Sequence, residues 1–496
     1  IAQTMIQISK PEDKEYVAAV VEFKGCEYLI NEMELGQEMI TRTFQNADII
    51  VFPEDGLTSV SFPGNSRISC DRQALKNISC AAKENRIYVV INIAEKAKRC
   101  INEKCSKQET IYHNTNVVFD RTGKVIARYR KVNLFDEEQF SVAAVPEVVT
   151  FETDFGVKFG TFICFDILFH VPALNLTRQH GVTDIVYSTA WFSEIPFLTA
   201  DQTQFGWAYS ENVNLLAAGY NRPKSSTTGS GIYLGIFENS HYQTFLPAGR
   251  KGIARAIYAR EEGDQLLIER VPKIGKQSVT DDEKTKTMSD VDPNGEEINE
   301  TWADIDFHFQ DNITRFTSMI VDGQIHKELC HDSFCCTFKV DISTVDPKVK
   351  YRIAVFNGRR LYGRHVEAAV EVCGLIQCAN DSLESCPSSK RSKTIFSEIK
   401  ISSTFHEYQT NLVMPSTLNS SILPITSFSY DQFAHDDHVH IEMVLSEPTK
   451  DIVTFGLYGR IISKDGEDSA GTANLPSFPL IFSLALGLIL ALRSRV

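Results

Sequence analysis

Up to about residue 260, the chain alternates short apolar runs with longer stretches of mixed character. Runs rich in Val and Ile, without regular polar alternation, are typical of strands that are covered on both faces. The predicted strands are Val17–Phe23, Ala47–Phe52, Ile87–Ala94, Asn116–Asp120, Lys124–Tyr129, Val157–Phe165, Asp184–Ala190 and Val213–Tyr220. The predicted helices are Asn31–Gln45, Arg72–Asn85, Pro172–His180 and Thr199–Asn212. Strands that alternate with helices predict an α/β layered domain.

The pattern changes after Glu261, where the chain becomes acidic and poor in apolar residues. We interpret residues 275–300 as a surface insertion or linker. Shorter apolar runs follow and predict a second, mostly β domain; they are Trp302–Phe309, Ile353–Phe356, His365–Val372, Thr394–Ser403 and Ile452–Ile461. The predicted division is therefore an α/β domain over 1–300, a β-rich accessory domain over 301–465 and a tail over 466–496.

The tail is apolar from Phe478 to Leu492, and the small residues Ser469–Gly471 precede it. This order is typical of a signal for attachment of a glycosylphosphatidylinositol (GPI) lipid, with Ser469 as the candidate attachment residue. Arg493 and Arg495 follow the apolar run and also fit a single membrane-spanning anchor. We favour the lipid anchor, which places the protein on the outer face of the cell membrane or, if it is shed, in the extracellular fluid.

Charge and cysteine content narrow the possible partners. The net charge of −14 argues against a nucleic-acid partner. Most of the twelve cysteines lie in local clusters, which indicates a disulfide framework of open connectivity and an oxidising compartment, with Cys26 as the candidate unpaired thiol besides Cys164. Six glycosylation sequons agree with that compartment, at Asn77, Asn175, Asn299, Asn312, Asn380 and Asn419.

Three chemically reactive residues stand at the ends of predicted strands: Glu54, Lys131 and Cys164. A neutral thiol is a poor nucleophile towards an amide and needs a base, a role that Glu54 fits. Lys131, as an ammonium, suits the oxyanion that forms on the attacked carbonyl, and the N–H of Phe165 is a second candidate donor. Taken singly, each residue also has a purely structural interpretation: Cys164 as a small core residue, Glu54 as a carboxylate in a turn and Lys131 as a surface lysine. Their common position at strand ends favours catalysis.

The sequence around these residues resembles the nitrilase superfamily and, within it, the vanin/biotinidase family. The motifs that carry the resemblance are Phe52–Asp55, Tyr129–Phe135, Cys164–His170, Thr189–Trp191, Thr228–Tyr233, Leu329–Cys336 and Val372–Cys378. The resemblance implies a nitrilase-like αββα sandwich with a β-rich base domain, glycosylated and lipid-anchored. It also implies Glu54 as base, Lys131 as oxyanion partner and Cys164 as nucleophile.

Vanins hydrolyse the amide of pantetheine, and biotinidase hydrolyses biocytin and related biotin amides. The resemblance therefore implies an amidohydrolase with a small-molecule amide substrate, most simply pantetheine. A biotinidase-like hydrolase is the alternative within enzymes. A cell-surface binding protein without turnover is the alternative outside them. Thiol chemistry with an internal acid needs no metal, so we predict neither a metal nor a cofactor.

Three further residues, Trp191, Asp166 and Glu138, are candidates for the surroundings of the site, and two histidines elsewhere are a candidate metal pair. Trp191 follows a predicted strand and either contacts substrate or caps the core. Asp166 is expected to bond the loop that positions Cys164. Glu138 is a candidate second acid that orients Lys131. Finally, His438 and His440 share one face of a predicted strand, as metal ligands would, but a polar surface strand is the interpretation we favour.

Overall fold

The computed structural model describes residues 8–24, 38–40, 47–55, 72–101, 104–143, 145–235, 253–259, 263–274, 309–406, 409–435 and 437–465. Residues 1–463 belong to one compact unit. The α-helices whose bounds lie within the described residues are α1 (Arg72–Asn85), α2 (Asn175–Arg178) and α3 (Ala200–Glu211).

Two six-stranded sheets form the N-terminal half. Its strands are β1 (Glu15–Glu22), β2 (Ile49–Val51), β3 (Tyr88–Ile101), β4 (Lys104–Phe119), β5 (Val125–Arg130), β6 (Val149–Glu152), β7 (Lys158–Ile163), β8 (Asp184–Ser188), β9 (Glu194–Ile195), β10 (Asn214–Ala218), β11 (Asn221–Arg222), β12 (Thr227–Thr228), β13 (Ser230–Tyr233), β14 (Ile253–Ile257) and β15 (Gln265–Pro272). The first sheet has the order β15-β1-β2-β3-β4-β5 and the second β14-β13-β10-β8-β7-β6. The central strands β1, β2 and β3, and likewise β7, β8 and β10, run parallel.

The period-2 alternation of a strand explains how the first sheet is covered on both faces. In β1, Ala18 and Val20 belong to a core shared with the second sheet, whereas Ala19 and Val21 belong to a core shared with α1. The second sheet is covered on its far side by α2 and α3. The N-terminal half is therefore the expected αββα sandwich.

Helix α3 is buried on nearly every side although its sequence is largely polar. One side packs on the second sheet, where the Trp207 and Phe162 rings lie 5.1 Å apart. Its other side faces the C-terminal half, where Gly206 lies against the backbone carbonyl of Pro415 and the Met414 side chain. Helix α3 is therefore an interior helix and not the amphipathic surface helix that usually covers one face of a sheet.

The C-terminal half consists of strands and short turns of 3-10 helix. Its strands are β16 (Phe309–Gln310), β17 (Thr317–Val321), β18 (Ile325–His331), β19 (Phe334–Thr344), β20 (Lys350–Tyr362), β21 (Val366–Cys378), β22 (Ile395–His406), β23 (Leu412–Asn419), β24 (Phe428–His435), β25 (His438–Leu445), β26 (Thr449–Lys450) and β27 (Ile452–Arg460). Two antiparallel sheets, β17-β20-β21-β27-β23 and β18-β19-β22-β25-β24 with β26 on β22, share one core. We call strands β17–β27 the C-terminal β-sandwich.

Three disulfides are present in the described residues. Cys330–Cys335 closes the β18–β19 hairpin, Cys336–Cys373 joins the two sheets, and Cys378–Cys386 ties the segment after β21. Among the described cysteines, Cys80 and Cys164 are free, with Cys80 exposed and Cys164 buried. The predicted unpaired residue Cys26 lies outside the described residues, as does Cys70.

Most predicted elements of the N-terminal half are confirmed, and the helix predicted over 72–85 has those bounds. Strands β3 and β4 are longer than predicted and pair as far as Ile101 and Lys104. Only residues 38–40 of the helix predicted over 31–45 are described, and they are helical. The predicted domain boundary at residue 300 lies outside the described residues, so the division at that point stays a prediction.

The predicted anchor and glycans are not tested by the structure. None of the helices found in the described ranges has both the length and the apolar composition that a membrane crossing requires. Ser469 and the apolar tail lie outside those ranges. Of the sequon asparagines, Asn312 and Asn380 are exposed, Asn77, Asn175 and Asn419 are partly buried, and Asn299 lies outside the described residues.

Candidate active site

The three candidate catalytic residues follow strands of both sheets. Glu54 lies three residues beyond β2, and Lys131 follows β5 directly, so both extend from the first sheet. Cys164 follows β7 of the second sheet and begins a short 3-10 helix, Cys164–Leu168. All three side chains are buried. Residues beyond strand ends are where open α/β sheets place their ligands.

Lys131 is held by two carboxylates. Its Nζ donates to Oε1 of Glu54 at 2.7 Å and to Oε2 of Glu137 at 2.6 Å. Burial alone would lower the pKa of Lys131, but the charges of Glu137 and Glu54 raise it well above its ordinary value. Lys131 is therefore a permanent ammonium and cannot serve as a base.

A buried amide fixes the two carboxylates relative to each other. Nδ2 of Asn114, on β4, donates to Oε1 of Glu54 and to Oε1 of Glu137, both at 2.7 Å. Nδ2 of Asn92, on β3, donates in turn to Oδ1 of Asn114 at 2.8 Å. The second oxygen of Glu54, Oε2, accepts from the backbone N–H of Ala190 at 3.0 Å. Both oxygens of Glu54 are thus occupied by donors.

Cys164 has a left-handed backbone conformation, with φ of 47°. Such a conformation is unfavourable for a residue with a side chain and must be held by its surroundings. The Tyr187 hydroxyl donates to the backbone carbonyl of Cys164 at 2.9 Å. Two residues later, the Asp166 carboxylate accepts from the backbone N–H of Ile163 at 3.0 Å and from the Tyr129 hydroxyl at 2.7 Å. The predicted role of Asp166 in bonding the turn that carries Cys164 is confirmed.

The surroundings of Cys164 favour the neutral thiol. Burial and the Glu54 carboxylate raise the pKa of the Cys164 thiol well above its ordinary value, while Lys131 lowers it in part. The Thr189 hydroxyl and the Ala190 N–H also lower this pKa, which places both groups beside the sulfur. At neutral pH the thiol is protonated, so nucleophilic attack must be accompanied by transfer of its proton to a base.

The groups that converge here are a protonated thiol, a carboxylate and a fixed ammonium in a largely buried site. This combination suits attack on a carbonyl carbon, because the carboxylate takes the thiol proton and the ammonium offers a positive charge to the oxygen that becomes negative. The ammonium is already in place before the reaction, so little reorganisation is needed in the transition state.

The prediction that Glu138 orients Lys131 is wrong, because Glu137 occupies that position. The Glu138 side chain is 71% exposed and pairs with Arg364 at 3.2 Å. The two glutamates follow Asp136, whose φ is 51°. This left-handed residue turns the loop so that Glu137 points to Lys131 and Glu138 to the surface.

Trp191 and Phe165 are both buried next to the site. The indole N–H of Trp191 donates to the backbone carbonyl of Leu198 at 2.9 Å, and the ring is part of the large core, which fits the core-capping alternative. The Phe165 ring packs against Phe135 and Tyr362, with centroid distances of 5.2 and 5.4 Å. The role of the Phe165 N–H as an oxyanion donor stays a prediction.

Sequence reasoning missed Asn114 and Glu137, and it named Thr189 only as part of a motif, without a role. A polar signal was available for Asn114, because Asn92, Asn114 and Asn116 interrupt otherwise apolar strands and are fully or almost fully buried. A buried amide in a strand needs partners, and here those partners are the catalytic carboxylates. For Glu137, the sequence offered two adjacent glutamates and no means to choose between them.

The predicted histidine pair lies on the outer face of the C-terminal β-sandwich. His438 and His440 alternate along β25 with the buried Val439 and Ile441. Within the described ranges, the residues that converge as metal ligands would are Glu328, Cys330 and Cys335. In that group, the two cysteines form a disulfide.

Comparisons with known proteins agree with this geometry. Residues 24–201, which include Glu54, Lys131 and Cys164, match the carbon–nitrogen hydrolase family, and residues 305–465 match the vanin C-terminal domain. Vanin-like protein 3 of Drosophila melanogaster is 33% identical, over 96% of this chain and 94% of that protein. The chain belongs to the vanin family of the nitrilase superfamily.

Other relatives of this vanin carry names that specify an activity. Pantetheinase of Mus musculus is 31% identical, over 88% of this chain and 83% of that protein. Biotinidase of Homo sapiens is 28% identical, over 86% and 83%. Among solved structures, an amidase from Nesterenkonia sp. is 16% identical, covers 56% of this chain and 97% of its own, and has a TM-score of 0.39. The match of residues 24–201 and the relatives named for amide hydrolysis show that the chain is a carbon–nitrogen hydrolase that acts on amides.

Proposed function

We propose that this chain hydrolyses pantetheine to pantothenate and cysteamine through a thioester on Cys164. The observation that carries the proposal is the buried Lys131 ammonium, held between the carboxylates of Glu54 and Glu137 beside the Cys164 thiol. The choice of pantetheine is supported by relatives named pantetheinase from Mus musculus and Homo sapiens, at 31% and 32% identity.

In the first half of the reaction, Sγ of Cys164 attacks the amide carbon while its proton passes to Glu54. The carbonyl oxygen becomes an oxyanion, which the Lys131 ammonium and the Phe165 N–H stabilise. The C–N bond then breaks, and the amine leaves with the proton that Glu54 received. Cysteamine departs, and the pantothenoyl group stays bound to the sulfur as a thioester.

In the second half, a water molecule enters and gives its proton to Glu54. The hydroxide attacks the thioester carbon, and the same donors stabilise the second oxyanion. When the C–S bond breaks, the sulfur takes the proton back from Glu54, and pantothenate leaves as the free acid. One proton therefore shuttles between sulfur, carboxylate, amine and water. Removal of a single oxyanion donor from such a site lowers kcat by about 10²–10³.

The second candidate substrate is biocytin, which the match to biotinidase of Homo sapiens supports. Biotin amides offer the same scissile bond with a bulkier acyl group, so the same three residues serve both reactions. A binding protein without turnover is the competing class. It gives no reason for a thiol, a carboxylate and an ammonium to share one buried site.

We further propose that the protein is extracellular, N-glycosylated and attached by a GPI lipid at Ser469. Three disulfides among the described residues support an oxidising compartment. Exposed sequon asparagines, Asn312 and Asn380, support glycan attachment. Release from cells by phosphatidylinositol-specific phospholipase C is the expected result. Retention at the membrane after that treatment would favour the single-pass anchor.

The test of activity compares kcat/KM for pantetheine and for biocytin with the purified extracellular portion. We expect efficient cleavage of pantetheine and a lower kcat/KM for biocytin. Cys164→Ala should abolish hydrolysis, whereas Cys80→Ala, which removes the exposed free thiol, should leave it unchanged. Cleavage of biocytin alone would reject pantetheine as the substrate, and activity in Cys164→Ala would reject the nucleophile.

A further inference from the structure

The loop that carries Glu137 is not held by the N-terminal half alone. Within the loop, the backbone N–H of Phe135 donates to Oε2 of Glu137 at 3.0 Å, and Asp136 is left-handed. The Asp136 side chain points away from the catalytic carboxylates, towards the C-terminal β-sandwich. The contacts that hold Asp136 therefore also set the direction in which the Glu137 side chain points.

Asp136 is held by the turn between β20 and β21, which we call the hairpin tip (Tyr362–Val366). Oδ2 of Asp136 accepts from the backbone N–H of Arg364 at 2.7 Å and from its Nε at 3.4 Å. The same guanidinium donates through Nη2 to Glu138 at 3.2 Å. Arg364 thus contacts the residues on both sides of Glu137.

Gly363 allows this close approach. Its φ of 57° lies in the left-handed region, and a Cβ at this position would overlap the Asp136 carboxylate. A residue with a side chain would therefore displace either the hairpin tip or the catalytic loop. No such displacement is needed with glycine, so backbone and carboxylate meet directly.

The hairpin tip also contacts the nucleophile side of the site. The Tyr362 ring packs at 5.4 Å from the ring of Phe165, the residue after Cys164. Tyr362 is fixed in turn by its hydroxyl, which bonds that of Tyr458, and by the Arg360 guanidinium, which lies 4.4 Å from its ring centroid. One turn of the C-terminal β-sandwich therefore contacts both the loop of Glu137 and the segment of Cys164.

We propose that the hairpin tip is a positioning element of the active site, in which Gly363 and Arg364 act through Asp136 to fix Glu137 and hence the Lys131 ammonium. The C-terminal β-sandwich then takes part in catalysis without contacting the reacting atoms. The inference rests on the proposed function, because it assigns the ammonium to the oxyanion. It predicts a loss of kcat with little change in KM when the contact is broken.

Arg364→Glu is the decisive variant. Its side chain is 64% exposed, so the substitution itself is tolerated, but it places a third negative charge beside Asp136 and Glu138. We expect kcat for pantetheine to fall about tenfold, with KM within about twofold of the original, since small misplacements of catalytic groups are costly. Arg364→Lys should retain about half of the activity or more, because it keeps the positive charge and the backbone N–H bond to Asp136.

A second readout is independent of the substrate. Lys131 lowers the pKa of Cys164, so a displaced ammonium reduces the thiolate fraction and slows alkylation of Cys164 by iodoacetamide. We expect this rate, followed by mass spectrometry, to fall about fivefold in Arg364→Glu. If pantetheine is the wrong substrate, the unsubstituted protein does not hydrolyse it, yet the alkylation experiment still decides the inference.

The matched control is Lys339→Glu, which reverses the charge of a 2.7 Å ion pair with Glu398 in the other sheet of the C-terminal β-sandwich. It should change neither kcat nor alkylation. Gly363→Ala should reproduce the loss more strongly, and if it does not fold, Arg364→Glu decides. Unchanged kcat and unchanged alkylation in a folded Arg364→Glu protein would overturn the inference, as would an equal loss in Lys339→Glu.

Discussion

Nζ of Lys131 donates to Oε2 of Glu137 at 2.6 Å. The two residues are six positions apart, and a sharp turn of the chain between them brings their side chains together. Both side chains are enclosed by protein, so neither readily exchanges its partner for water. The pair therefore fixes a positive charge in space before any substrate arrives.

Glu137→Gln should lower kcat about 100-fold with little change in KM. Both oxygens of Glu137 accept hydrogen bonds from Asn114, Lys131 and the Phe135 N–H, so an amide nitrogen would face a donor in either orientation. Steady-state kinetics with pantetheine measure the effect. Glu138→Gln is the control, since that exposed side chain makes no contact with Lys131. Equal activity of the two variants would contradict the assignment.

Glu54→Gln should separate hydrolysis from thiol reactivity. Loss of the base lowers kcat by about 10²–10⁴. The same substitution removes a negative charge that raises the pKa of Cys164, so alkylation of Cys164 at pH 7.5 should become faster. The exposed thiol of Cys80 serves as an internal reference in the same sample. Unchanged hydrolysis in Glu54→Gln would reject Glu54 as the base.

Phe192→Ala should raise KM about fivefold and leave kcat nearly unchanged. Phe192 is 42% exposed and stacks on Phe135, whose ring in turn contacts Phe165 next to the nucleophile. We expect this row of rings, which runs from the surface to the residue beside the nucleophile, to form an apolar wall for the substrate. Phe433→Ala, which removes an exposed ring on β24, is the control. An unchanged KM in Phe192→Ala would exclude the wall from substrate binding.

Glu22→Gln should stabilise the protein, and more strongly as the pH rises. Burial raises the pKa of Glu22 to about 8 from 4.5, although Gly229 and Thr228 donate to it. The folded state therefore holds this proton more tightly than the unfolded state. The stability that this gives is complete below pH 4.5 and is lost as the pH rises through 8.

A neutral glutamine avoids that loss and offers a donor to Oδ1 of Asn221, which is buried without a partner. We expect the free energy of unfolding, measured by urea denaturation, to increase on the order of 4 kcal/mol at pH 8. At pH 4.5 the difference should disappear. A difference that is constant between these pH values would show that Glu22 titrates as an ordinary carboxylate.

Loss of the Cys336–Cys373 disulfide should destabilise the protein more than loss of Cys330–Cys335. The first bridge spans 37 residues and the second five, so the first restricts the unfolded chain more. Chain entropy predicts costs of about 4 and about 2 kcal/mol, respectively. Thermal unfolding of the two double alanine variants measures the order. The reverse order would indicate that the hairpin disulfide carries native-state contacts beyond its loop.

The strands of the N-terminal half could be predicted because burial on both faces leaves unbroken Val and Ile runs. The extension of β3 and β4 could not, since Lys96, Lys98 and Thr110 read as a polar loop and yet pair beyond the layered core. Helix α3 was predicted from its spacing, but its complete burial was not. That burial depends on the C-terminal β-sandwich, which covers a face that the local sequence leaves polar.

The catalytic residues could be predicted because each stands at a strand end within a familiar motif. The choice between Glu137 and Glu138 could not be made in the same way, since it depends on a left-handed Asp136 that is held from a segment more than 200 residues away. A contact between residues so far apart in the chain produces no periodic pattern in the sequence. They become visible only when both halves are seen together.

The reacting groups of this enzyme come from different sheets, because Glu54 and Lys131 extend from the first and Cys164 from the second. Their separation is therefore set by how one sheet stacks upon the other. Substitutions in the shared interior, at Val20 or Val186 for example, would shift that stacking without touching any substrate. The catalytic rate should therefore respond to changes in interior packing more sensitively than the melting temperature does. Substitutions that repack the interior should abolish activity before they unfold the protein.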